Sequence, residues 1–166
     1  MNNHSTKYKY STAFNGSSYI TFDPLPSEAK TVSCWVKHTL STTNSVIFAD
    51  YATGLALGFH SNNALIVHCG TSNGSTGSRV LLGGYYNNSD WNHIVIVKTG
   101  TGTYTVYLNG HVLNAESANY WTHSTNNLMI GRRSAGTYYS GYLSDFRVYS
   151  TALSADDVTK LYKGEI

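Results

Sequence analysis

Charged side chains are scarce in this chain. Lys and Arg number 11 and Asp and Glu 9, so charged residues make up 12% of 166 residues, well below the quarter or so of an ordinary globular domain. The formal net charge is +2, which gives no electrostatic surface for a phosphate backbone and excludes nucleic acid as an expected partner. Glutamate is scarcer still: Glu28, Glu116 and Glu165. None has a second acid two or four positions away on a strand-like segment, and Asp156 and Asp157 belong to a helix start. Cleaving a glycosidic bond with retention needs an acid and a nucleophile about 5–5.5 Å apart, so no glycosidase, and no enzyme of any kind, is expected. No apolar run approaches the roughly 18 residues of a membrane-spanning helix. The opening "MNNHSTKYKY" lacks the apolar core of a signal peptide and is not read as one. The Gly-rich "TSNGSTGS" (71–78) lacks the Lys and the following helix of a phosphate loop. Two cysteines, Cys34 and Cys69, cannot make a metal site alone; they are either two buried thiols or one bridge between neighbouring strands.

The chain is rich in aromatic residues and in short alternating runs. It has fourteen Tyr, three Trp and a hydrophobic fraction of 41%, enough to bury a core in one domain spanning 1–166, with its centre over about 13–162. The polar surface must come from Ser, Thr, Asn and Gly, as in many extracellular and virion β-proteins. Strand patterns recur at 18–22, 31–38, 45–51, 55–61, 64–70, 78–86, 92–99, 103–110, 127–133 and 141–149, separated by Gly, Asn and Ser turns. Links this short predict an antiparallel sandwich rather than βαβ units. One helix is predicted, in "STALSADDVTKLYKG": Ser154 caps it, Asp157 completes a capping box, Val158, Leu161 and Tyr162 form its apolar stripe, and Gly164 stops it. The fold class is therefore all-β, a two-sheet antiparallel sandwich with one short C-terminal helix.

Five stretches in order carry a family resemblance: "FNGSSYITF", "TVSCWVK", "DWNHIVIV", "TVYLNG" and, most specifically, "GYLSDFRVYSTALSADDVTKLY". Together they resemble the laminin G-like, concanavalin A-like lectin-glucanase jelly rolls over about residues 13–162. The resemblance implies a jelly-roll strand order, with sugars or proteins bound at a concave sheet face or at rim loops. It also implies that His93, between Trp91 and Ile94, is a scaffold residue at a strand end. Chemistry at His93 would need a neighbouring carboxylate or nucleophile, and only Asp90, in a turn, is near it in sequence.

Asp145 stands out inside an apolar strand. Strict alternation puts it on one face with Leu143, Arg147 and Tyr149, where it makes an ion pair with Arg147 or hydrogen bonds to the first strand. The wider resemblance implies instead a structural calcium, held by Asp145 together with Asn15 and Gly16 of the "NGS" turn. The loops supply the remaining candidates: Asp50 and Tyr51; Tyr85, Tyr86, Asn87 and Asn88; Trp121, with Tyr120 and His123 beside it; Arg132, Arg133, Tyr138 and Tyr139. Aromatic faces stack on sugar rings, and Asn and Arg bond hydroxyls or a carboxylate. Of two adjacent tyrosines in an alternating segment, one faces inward. The function expected is a non-catalytic, lectin-like module binding a glycan or glycoprotein, without membrane insertion, in an extracellular, cell-surface or virion-associated setting. The alternative is a structural or adhesive domain that binds protein or itself, as a homo-oligomer or within a larger parent assembly.

Overall fold

A computed structural model describes residues 10–50, 55–69, 78–82, 90–100, 103–117, 125–133 and 136–166, with the backbone alone at 69, 78–82 and 114–117. In chain order the strands are β1 (Ser11–Asn15), β2 (Ile20–Phe22), β3 (Thr31–His38), β4 (Ser45–Asp50), β5 (Leu55–Phe59), β6 (Leu65–Cys69), β7 (Ser78–Leu82), β8 (Asn92–Gly100), β9 (Thr103–Leu108), β10 (His111–Ser117), β11 (Leu128–Ile130) and β12 (Ser140–Tyr149); helix α1 (Ala155–Lys163) follows. They form two six-stranded sheets, ordered β1-β12-β3-β8-β9-β10 and β2-β11-β4-β5-β6-β7. The paired strands are antiparallel throughout.

Period-two alternation turns one row of each strand into the space between the sheets. Val32, Cys34 and Val36 of β3 and Ile94 and Ile96 of β8 meet Ile47 and Phe48 of β4, Leu55, Leu57 and Phe59 of β5, and Leu65 and Val67 of β6. The Cys34 thiol is free and buried, and burial, with the nearby Asp145 charge, pushes its pKa far above the ordinary thiol value. Of the two readings of the cysteines, the structure thus excludes a bridge at Cys34.

The outer face of the first sheet carries a second cluster. Val95, Val97 and Tyr107 pack against Val158 and Leu161 of α1, which is why β8 is buried on both faces and reads as a continuous apolar run. The helix begins and ends as predicted. Ser154 accepts from the Asp157 amide, and the Asp157 carboxylate reaches back to the Ser154 amide at 3.2 Å. Hydrogen bonds from Ser154 hold that exposed carboxyl below its usual pKa. Gly164 closes the helix in the left-handed conformation.

Three expectations are corrected. The opening stretch is two strands, not one: β1 belongs to the first sheet and β2 to the second. The chain changes sheets at Asn15–Gly16, where the Asn15 carboxamide accepts from the Ser17 and Ser18 amides and Gly16 sits at φ +82. β10 was also unsignalled, since its sequence "HVLNAES" does not alternate cleanly. Finally, β12 is not one regular strand. Its register against β3 slips between Ser144 and Arg147, with Asp145 at φ +52. The slip reverses the phase, so Leu143 before it and Phe146 and Val148 after it all face the core.

Candidate functional site

His93 lies under the helix rather than at a surface. Its ring is buried, with Nε2 2.8 Å from Ser33 Oγ. It stacks beside Trp35, which in turn stacks on Tyr162 of α1. Its backbone is tied to the β9–β10 turn, because Asn109 Oδ1 accepts from the His93 amide and the Asn109 amide donates to the His93 carbonyl. The arrangement fixes a strand end and docks the helix, the scaffold role that the family resemblance implied.

The three residues expected to share a cation do not converge. Asn15 is opposite Ser140, whereas Asp145 follows Ser144, which is opposite Ser11. Asp145 is thus five residues on from the partner of Asn15, and the four regularly paired ones alone span roughly 14 Å. The Asn15 carboxamide oxygen is already engaged by two amides and the Ser17 hydroxyl. Asp145 takes the Arg147 guanidinium at 2.6 Å, and that bond raises the Arg147 pKa above its ordinary value. These residues do not fit a single calcium site, and among the described residues no three His, Cys, Asp or Glu side chains gather as metal ligands.

The loop candidates separate in the same way. Tyr51, Tyr85, Tyr86, Asn87, Asn88 and Trp121, with Tyr120 and His123, lie outside the described residues. Asp50 is buried, paired with Leu128 on the inward row of the second sheet. Tyr139 is fully buried between Phe14 and His38, so it belongs to the interior and not to a ligand surface. Its neighbour Tyr138 is half-buried on the other side of the hairpin and bridges to Arg132. The Arg132 guanidinium sits 4.6 Å from the Tyr19 ring centre and 5.5 Å from that of Tyr138, a cation–π stack at the β2 edge.

Arg133 points the other way, into a cleft on the outer face of the second sheet. The cleft holds about 280 Å³ and is lined by Asn44, Val46, Ala56, Gly58, Ile66, His68, Arg133 and Thr137 among others. Two strands meet closely at its floor. β4 bulges between Val46 and Phe48, and Gly58 lies against it so closely that a Cβ there would meet the Ser45 carbonyl oxygen at 2.2 Å. The absent side chain lets the bulged β4 backbone close against β5, and the cleft beside them is floored by Val46, Ala56 and Ile66. The hairpin after β11 makes the wall, with the Arg133 amide donating to the Thr137 carbonyl at 3.2 Å. Of these lining residues only Arg133 was anticipated. Gly58 inside an alternating strand was the one sequence signal for the rest.

A two-sheet antiparallel sandwich with a helix closing one outer face defines a jelly-roll domain of the concanavalin A-like kind. The chain belongs to the concanavalin A-like lectin/glucanases superfamily, whose family description matches residues 14–159. No curated protein matches the chain by sequence. Among solved structures it is similar to a heptameric SAP-like pentraxin from Limulus polyphemus, with a TM-score of 0.71 and 20% identity over 92% of this chain and 81% of that one. It is similar to domain 4 of the extracellular arabinanase AbnA from Geobacillus stearothermophilus, solved with arabinotriose, with a TM-score of 0.73 and 20% identity over 92% and 76%. It is also similar to a sialidase carbohydrate-binding module from Ruminococcus gnavus bound to α2,3-sialyllactose, with a TM-score of 0.72 and 14% identity over 93% and 97%. These likenesses establish the fold. The structures it resembles include binding modules.

Proposed function

We propose that this chain is a non-catalytic recognition module that binds a glycan in the cleft beside Arg133, in an extracellular or surface-exposed setting. The observation that carries the reading is the composition of that cleft. Its apolar floor of Val46, Ala56 and Ile66 suits the carbon face of a sugar ring, and its polar wall of Asn44, His68, Arg133 and Thr137 suits the hydroxyls. No Asp or Glu is among the described residues that line it, so the paired carboxylates of glycoside cleavage are not assembled there. The arabinotriose and sialyllactose bound by two structurally similar domains support the reading by analogy of fold alone.

A glycan array, read with and without calcium and followed by chemical-shift mapping of the best ligand, tests it. Binding that perturbs Val46, Ala56, Gly58 and Ile66 is the expected result. No glycan binding, together with a stable oligomer by light scattering, would favour the structural or adhesive alternative and remove this one.

A further inference from the structure

The cleft is unbalanced in what it offers a ligand. Sugar hydroxyls both donate and accept, and a site for a neutral sugar supplies both kinds of partner. Here the described wall supplies both kinds and adds a cation. Arg133 brings the five N–H donors of a guanidinium and no acceptor. Asn44 has committed its carboxamide oxygen to the Ser61 amide at 2.9 Å, so its remaining capacity is the two N–H bonds of its amide nitrogen. Ser45, His68 and Thr137 complete the polar lining, each able to donate or to accept, so what sets this wall apart is the Arg133 cation. Arg79 occupies the register position beside His68 on β7, which adds a cationic residue type to the same part of the sheet. No carboxylate among the described lining residues neutralises Arg133, and its hairpin neighbour Arg132 is occupied elsewhere, over the rings of Tyr19 and Tyr138.

A cationic and partly apolar cleft with no carboxylate among its described lining residues fits an anionic ligand that still has a ring to lay on the floor. We propose that the cleft selects saccharides carrying an anionic group, a carboxylate or a sulfate ester, with Arg133 as the residue that reads the charge. The guanidinium fork matches two anionic oxygens at once, a geometry that a Lys ammonium does not reproduce. The inference rests on the proposed glycan-binding reading and adds the class of glycan.

The test is calorimetric titration of the whole chain with matched oligosaccharides: a neutral one, the same backbone bearing a uronic or sialic acid, and the same backbone bearing a sulfate. The anionic members should bind tighter than the neutral one by roughly tenfold or more, and their affinity should fall as salt rises. Arg133→Gln should remove that preference, Arg133→Lys should restore it only in part, and Arg147→Gln, on the other sheet, should leave it intact. Melting temperatures of the variants show that each is folded. The carboxylated and sulfated arms identify which anionic group is read. Equal affinity for the neutral member, or a preference that survives Arg133→Gln in a folded variant, would overturn the charge selection while leaving a glycan-binding cleft standing. Binding of no member would overturn both.

Discussion

The two outer faces of this sandwich are built by opposite rules. The first sheet presents Trp35, Val95, Val97 and Tyr107 outward and roofs them with α1. The second presents Val46, Ala49, Ala56 and Ile66, with Gly58 among them, and no helix lies over it among the described residues. A face that is filled and roofed contributes stability. A face left without a roof keeps a concavity. The roofed face serves folding, and the proposed function places recognition on the open one.

The strongest way to break this contrast is to remove the roof. Deleting residues 154–166 should cost roughly 3–6 kcal/mol, because Val158 and Leu161 are both buried and each contributes about 1.5–3 kcal/mol. Thermal denaturation measures it, and a truncated chain that melted like the full one would show that the helix is not structural. Single substitutions on each face come next. His93→Ala should cost about 1–3 kcal/mol by leaving the Ser33 hydroxyl without its ring partner. Gly58→Ala should cost a similar 1–3 kcal/mol, or about that, for the opposite reason, overpacking against the Ser45 carbonyl. An unchanged urea midpoint for Gly58→Ala would mean that β4 yields to the added methyl.

A smaller effect separates the two sheets by pH. His38 of the first sheet is buried against Phe59 of the second, and its Nε2 lies 3.1 Å from Asn63 Oδ1. Burial lowers its pKa, and the bonds to Asn63 and Ser140 offset this only in part. The unfolded chain therefore takes up the proton more readily than the folded one. The stability gained from keeping His38 neutral is complete above the ordinary histidine value and is lost as pH falls below about 6.5, with a slope of at most about 1.4 kcal/mol per pH unit. Melting curves of wild type and His38→Gln between neutral and mildly acidic pH should converge as acid is added; parallel curves would assign the acid response to other groups. The smallest effect belongs to the open face. Arg133→Gln should change stability by less than about 0.5 kcal/mol, and a large fall in melting temperature would make Arg133 a structural residue.

Most of the framework was legible in the sequence because it rests on local signals. Period-two runs marked the main strands, and the Ser154–Asp157 capping box and Gly164 marked both helix ends. The cleft was not legible in that way. Asn44, His68 and Arg133 are separated along the chain and meet only because β4, β5 and β6 pair in register and the hairpin after β11 folds beside them. The grouping of Asn15 with Asp145 failed for a related reason. Both lie at the β1–β12 pair, but sequence alone does not say at which end of it, and the observed register puts them apart. Tyr138 and Tyr139 show the limit of adjacency: their composition is identical, yet one joins the hairpin surface and the other the core.

The slip in β12 also has a consequence for how such chains change by insertion and deletion. Cys34 of β3 is faced by both Asp145 and Phe146, since Ser144 pairs with Trp35 and Arg147 with Ser33. Asp145 is thus a supernumerary residue, set aside in a left-handed conformation that Asp tolerates better than most side chains. Excising it would join Ser144 to Phe146 and leave Leu143, Phe146 and Val148 facing inward as before. Losing a residue in the strand interior away from the slip, such as Tyr142, would instead turn one part inside out. The strand therefore holds one short stretch where its length is negotiable, flanked on both sides by stretches where it is not.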